Sequence, residues 1–216
     1  MLSLAAWLDL FHGAGITVGV SVLAIAAGVP LGLAIAIGRT GGSRLVRMLC
    51  GLYSSFARAV PVVTFVMLIY FGLPAFGLAL DPLPAAVLAL TLNTAAFNAE
   101  IWRAAILDFP RGQLEAARAF GMTKAISFWR ILLPQAWRAC LPSLVNEMTL
   151  LIKVSPAIAI IGVVDLTRKA KQIAATTYEP LPAYLSAAVI YGVTLALLVA
   201  GARWLERRFA RRPGAA

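Results

Sequence analysis

Stretches of apolar sequence about as long as a bilayer is thick constrain this chain more than any other feature. A helix needs about 20 residues to cross the hydrocarbon core. Runs near that length lie at 16–37, 60–76, 85–106, 138–163 and 183–202. Lipid offers backbone N–H and C=O groups no water partner, so such runs are expected to bond internally as helices. The 216 residues are 61% hydrophobic and only 13% charged, which leaves no room for a soluble domain. The expectation is one all-α integral membrane domain over 1–216 with five transmembrane helices. Pro30 and Gly32 are expected to bend the first helix, and Leu80-Asp81-Pro82-Leu83-Pro84 makes a short external turn.

The net charge of +10 would suit a nucleic-acid binder, but its distribution argues otherwise. Of the 19 Lys and Arg residues, 15 fall between or after the apolar runs on one side: four from Arg39 to Arg58, six from Arg103 to Arg138 and five from Arg203 to Arg212. Basic loops stay in the cytoplasm, so the C-terminus is placed inside and the N-terminus outside, with lipid headgroups as the acidic partner and no nucleic acid. Arg168, Lys169 and Lys171 dissent; they belong to a polar external segment, 165–182, helical over its first half. The N-terminus has no basic stretch and Asp9 precedes the first run, so no cleavable signal peptide is expected. His12 reads as an interfacial histidine without a partner. Cys50 and Cys140 fall at cytoplasmic ends, so no disulfide is expected, and no spacing suits a metal. There is no phosphate-binding loop and no nucleophile with a nearby histidine, so no catalytic residue is assigned.

Three shorter features carry more information. Over 43–58, Leu45, Met48, Leu49, Leu52 and Phe56 recur at helical spacing, opposite Arg47, Gly51, Ser54 and Arg58. That is an amphipathic helix lying along the cytoplasmic surface. The loop 108–134 holds two short helical pieces joined at Gly121, with Thr123 as the second N-cap and Pro134 opening the next membrane helix. Its alanines let a partner approach closely. Finally, ionisable groups within the apolar runs are functional candidates. Glu100, Glu147 and Lys153 qualify, with Lys153 expected to pair with either glutamate. Asn93, Phe97 and Glu100 share a helix face; Asn146 and Thr149 lie on that of Lys153. Pro156 is expected to break the fourth helix around Ser155.

Glu115, Ala116, Ala117, Gly121, Ile131, Leu133 and Pro134 fall without a gap on the pattern E-A-A, three residues, G, nine residues, I-x-L-P. This resembles the EAA loop of the permease subunits of bacterial ABC importers. Leu92, Asn93, Ala96, Phe97, Ala99, Glu100, Ile101, Trp102 and Arg103 are similar to a motif of the polar amino-acid (histidine, glutamine, glutamate, arginine) branch. So are Leu151-Ile152-Lys153, Ile161-Gly162-Val163-Val164-Asp165-Leu166-Thr167 and, in part, Arg58 with Pro61. The resemblance implies a multi-pass subunit of the bacterial inner membrane. It implies a second permease subunit, two ATPase subunits that bind ATP and magnesium, and an external solute-binding protein that delivers an amino acid; this chain would hold no cofactor. It assigns ATPase coupling to Glu115, Ala116, Ala117, Phe120 and Gly121. The path or gate is expected at Asn93, Phe97, Glu100, Asn146, Glu147, Lys153 and Ser155. One departure stands out: Val154 replaces the aspartate usual after the lysine, so this subunit either lacks a complete substrate site or holds the substrate with other groups. The alternative from another class is an ATP-independent ion-coupled or channel-like protein using the buried Glu and Lys.

Overall fold

The computed structural model describes residues 2–210, without the side chains of 202 and 205–210; Arg211 and Arg212 of the basic tail lie outside it. All regular structure among the described residues is helical: α1 (Leu4–Gly41), α2 (Arg44–Ala59), α3 (Val62–Gly72), α4 (Pro82–Leu107), α5 (Arg111–Ala119), α6 (Lys124–Ser127), α7 (Leu133–Val154), α8 (Leu166–Thr177) and α9 (Pro180–Ala210). Among these residues, α1, the continuous stretch Lys124–Ile161 and α9 are long and apolar enough to cross a membrane, and the α2–α3 pair, bent by 115°, adds a fourth candidate. The remaining expected span, the third, is α4; it falls short of that apolarity because of Asn93, Thr94, Asn98 and Glu100, but it is the most enclosed helix of the bundle.

The crossing of α1 on α4 is the most extensive contact in the chain, and small residues make it possible. Gly28 and Gly32, one turn apart, face Thr94, Ala95, Asn98 and Ala99. A Cβ on Gly32 would lie 2.7 Å from Asn98 Cβ and 3.0 Å from both Ala95 O and Ala99 N, so the two backbones all but touch. In lipid, where apolar side chains gain little by leaving their solvent, such close approach is what drives helices together. Ala85, Ala86, Ala89, Ala95, Ala96 and Ala99 of α4 are fully buried for the same reason.

Two boundaries differ from the sequence reading. The first helix starts at Leu4 rather than near 16, capped by the Ser3 hydroxyl, which accepts from Ala6 N. Asp9 does not interrupt it, because Lys169 of α8 donates to its carboxylate at 2.6 Å. Nor does α2 lie wholly along the surface. Its apolar stripe is exposed, but Tyr53 Oη donates to Leu92 O and Asn93 Nδ2 donates to Ala57 O at 3.2 Å. Leu92 is 15 residues from the end of α4, roughly 22 Å along its axis, so α2 climbs into the bundle.

At the opposite end, α8 is clamped to α1 and α9. Asp165 caps α8 by accepting from Arg168 N at 2.9 Å, and it also accepts from Tyr191 Oη at 3.4 Å. Leu166 N donates to Thr17 Oγ1, and Gly13 lets α1 come within contact of the Asp165 carbonyl. Asp165 is fully buried, and that burial pushes its carboxyl above the ordinary aspartate value of 3.8. The folded chain therefore holds this proton more tightly than the unfolded chain. The resulting stability is complete below the ordinary value and is lost as pH rises through the raised one. Asp165→Asn keeps an acceptor for the cap. Relative to this variant, thermal unfolding of the wild type in detergent is expected to lose ground as pH rises above the ordinary aspartate value of 3.8. Parallel pH profiles for the two proteins would contradict it.

Candidate functional site

The loop residues come first, because their local geometry is settled by a few backbone bonds. Helix α5 ends in a Schellman turn: Met122 N donates to Ala117 O at 3.0 Å and Gly121 N to Arg118 O at 2.9 Å, with Gly121 at φ 76°. Thr123 then caps α6, accepting from Ile126 N at 3.3 Å. This turn thrusts Phe120 outward, 88% exposed, with Glu115, Ala116 and Gly121 also open. Ala117 does not join them. It is 4% exposed and faces the chain's own interior, so of the five coupling residues four form one open knob. Past α6 the backbone makes a single π turn, Phe128–Leu132, in which Leu133 N reaches back five residues to Phe128 O, before α7 runs into the bundle.

The second site is a cavity of about 470 Å³ between α2, α4 and α7, whose walls include Arg58, Phe97, Glu100, Ser143, Asn146 and Glu147. A neighbouring cavity of about 630 Å³ lies toward the loop, between Glu100, Asp108, Pro110 and Gln135. Glu100 borders both. Its carboxylate is gripped by three arginines: Arg39 of α1 on Oε1, Arg58 of α2 on Oε1 at 3.1 Å, and Arg103 of α4 on Oε2 at 2.8 Å. The cluster thus ties α1 and α2 to α4 where the two cavities meet. Deeper in, Glu147 is 8% exposed and accepts from Thr94 Oγ1 at 3.4 Å, and Thr94 in turn accepts from Asn98 Nδ2.

Of the path residues read from sequence, Phe97, Glu100, Asn146 and Glu147 meet at this cavity. Asn93 is buried and spent on α2, and Ser155, fully buried, donates to its own helix at Ile152 O. Lys153 is a correction. It is exposed and pairs with neither glutamate among the described residues, since the arginines occupy Glu100 and Thr94 holds Glu147. The break after it falls where Pro156 predicts: α7 stops at Val154 and a tight 3₁₀ segment, Ser155–Ile161, follows. Arg39, Thr94 and Ser143 escaped the sequence reading. Arg39 and Thr94 hold groups that it had singled out, but nothing in local spacing announces a contact 53 to 61 residues away.

The profile of a family described as "binding-protein-dependent transport system inner membrane component" matches residues 28–211. The chain is 37% identical over 206 residues to the L-cystine transport system permease protein TcyB of Bacillus subtilis (strain 168), covering 95% of this chain and 88% of that protein. It is 36% identical over 201 residues to the glutamine transport system permease protein GlnP of Escherichia coli (strain K12), covering 92% of each. Its fold is similar to a subunit in the crystal structure of an amino acid ABC transporter with histidines. That match has a TM-score of 0.85 at 33% identity over 96% of this chain and 99% of the other.

Proposed function

The chain belongs to the family of inner membrane components of binding-protein-dependent transport systems, and from that premise we propose how it works. It is the multi-pass permease subunit of an ABC importer for amino acids, resident in the inner membrane. It pairs with a second permease, receives substrate from an external binding protein and is driven by separate ATPase subunits, which bind the ATP and magnesium. Five spans, with α2–α3 and α4 as the second and third, remain the reading of its topology, with the N-terminus outside. The observation that carries the function is the open knob on α5, Glu115, Ala116, Phe120 and Gly121. Its 88% exposed phenylalanine beside the small, open Ala116 and Gly121 supports a partner protein docking there.

The path is read at the 470 Å³ cavity, and the Glu100–arginine cluster between the two cavities as its cytoplasmic gate. Ser143, Asn146, Leu150 and Lys153 lie on one exposed stripe of α7. Polar and charged side chains at membrane depth are costly against lipid, which supports the second permease or the water-filled path as the neighbour of that stripe. Substrate moves as the ATPases, binding the knob differently in their two states, tilt the helices and open the cavity to alternate sides. The ATP-independent alternative loses its premise, since Lys153 stands apart from both glutamates.

Gly121→Val tests the knob. Valine is a poor residue at φ 76°, where the cost is of the order of 1 to 2 kcal/mol, and it unwinds the turn that presents Phe120. The permease is expected to stay folded, because a Cβ at Gly121 meets nothing within 4 Å, yet to lose most of its co-purifying ATPase and its ATP-driven uptake. Undiminished ATPase retention and uptake would remove the knob from the mechanism.

A further inference from the structure

On the side of α7 away from its polar stripe runs an apolar seam that the transport reading leaves unused. Trp137, Arg138, Val145, Met148 and Ile152 recur at helical spacing, so they share one face. Against α1 this face lines two cavities. One, of about 460 Å³, has Pro30, Leu33, Trp102, Trp137 and Arg138 among its walls. The other, of about 290 Å³, lies farther along both helices, beside Ala26, Val145, Met148 and Ile152. The two indoles of the first cavity stack with centroids 5.7 Å apart, and Trp102 is fixed there because its Nε1 donates to Val29 O at 3.2 Å. Arg138 is exposed and makes no ion pair among the described residues. Thr149, the polar side chain of the second cavity, spends its hydroxyl on Val145 O at 2.9 Å.

We propose that this seam holds one anionic phospholipid of the cytoplasmic leaflet, with its phosphate on Arg138 and an acyl chain lying along α1 and α7 into the second cavity. The inference rests on the topology read above and on no particular solute. Charge and depth both favour lipid. A guanidinium is matched to phosphate, and its planar fork can hold two of the oxygens. Arg138 stands five residues past the start of α7, roughly 7.5 Å along it, and Trp102 five residues before the end of α4. That is headgroup depth, where tryptophan keeps its apolar body in hydrocarbon and its N–H on a polar partner. Arg138 and Ile152 are 14 residues apart, roughly 21 Å of helix, which accommodates one leaflet's share of a core about 30 Å thick. An apolar seam beside lipid needs no protein to cover it, whereas a basic lip at the cytoplasmic end is what an acidic headgroup recognises. So placed, the lipid braces α1 against the helix that continues from the coupling loop.

For the test, the permease–ATPase complex is reconstituted in vesicles of equal parts phosphatidylglycerol and phosphatidylcholine, extracted in mild detergent and weighed by native mass spectrometry. The wild type is expected to retain phosphatidylglycerol in preference to phosphatidylcholine. Arg138→Gln is expected to lower that preference roughly fivefold, about the worth of one basic residue beside an anionic headgroup. Arg44→Gln is the control, since it removes the same charge from the exposed start of α2 and borders neither cavity; it should change nothing. Ala26→Trp adds bulk at an exposed position of the second cavity and should expel the lipid while leaving Arg138 in place. Equal retention of the two lipids by the wild type would overturn the proposal. So would equal effects of Arg138→Gln and Arg44→Gln, or undiminished retention in Ala26→Trp. Cross-linking of two Ala26→Cys copies to each other would show that a second permease covers the seam, and would overturn it as well. None of these results would touch the coupling role, which the Gly121→Val experiment decides separately.

Discussion

Gly32→Leu is expected to abolish the folded permease. The first added carbon alone would sit 2.7 Å from Asn98 Cβ and 3.0 Å from two backbone atoms of α4, and leucine adds three more. Backbone cannot swing aside as a side-chain tip can, so relief requires parting α1 from α4 along their whole contact. The cost is expected at or above about 3 kcal/mol, the top of the range for overpacked cores. The readout is the fraction of detergent-extracted protein running as a single sharp species in size-exclusion chromatography, which should fall close to zero. Gly15→Leu, on the same helix with nothing within 4 Å of its Cβ, should extract normally. Equal behaviour of the two variants would mean that α1 and α4 do not cross as closely as described.

Glu100→Leu is the second large effect. It leaves Arg39, Arg58 and Arg103 facing one another with no carboxylate between them. Stripping one partner from a buried ion pair costs about 3–5 kcal/mol. Glu100 keeps 19% of its side chain exposed and two of the arginines about a third, so water screens part of that cost and about 2 kcal/mol is expected. For a chain of this size the unfolding temperature should drop by roughly 4–8 °C. Glu100→Gln, which keeps an acceptor but no charge, should fall between. The leucine variant should also leak, with ATPase turnover no longer tied to uptake in proteoliposomes. A variant with unaltered unfolding temperature and tight coupling would show that the cluster holds nothing together.

What could be read beforehand divides along a physical line. Membrane helices follow from composition over some 20 residues, so they are visible in the sequence, as are turns fixed by one residue type: Gly121, Thr123 and Pro156 act where their local chemistry says they must. Lengths fail when a charge has a distant partner. Asp9 reads as lying ahead of the first apolar helix only because Lys169, 160 residues on, cannot be seen. The site divides in the same way. Glu100 and Glu147 are conspicuous as carboxylates among apolar residues, but which cations reach them depends on how helices cross. Lys153, equally conspicuous, proves to be exposed and paired with neither glutamate among the described residues. An apolar run gives no hint of which side of a helix meets its neighbours, and here that ambiguity joined the wrong cation to the right carboxylates.

The π turn at Phe128–Leu132 has a consequence for how force enters the membrane. It lies on the backbone path between the piece that carries Phe120 and the helix that carries Glu147. Were its wide hydrogen-bonded ring to tighten into ordinary α geometry, everything beyond it would advance by one residue's worth of screw, about 100° of rotation for about 1.5 Å of travel. A shove delivered from the cytoplasm would then reach the cavity wall as a twist, changing which side chains look inward while the helix hardly rises. The transmission would then be geared rather than stiff, with a gear five residues long.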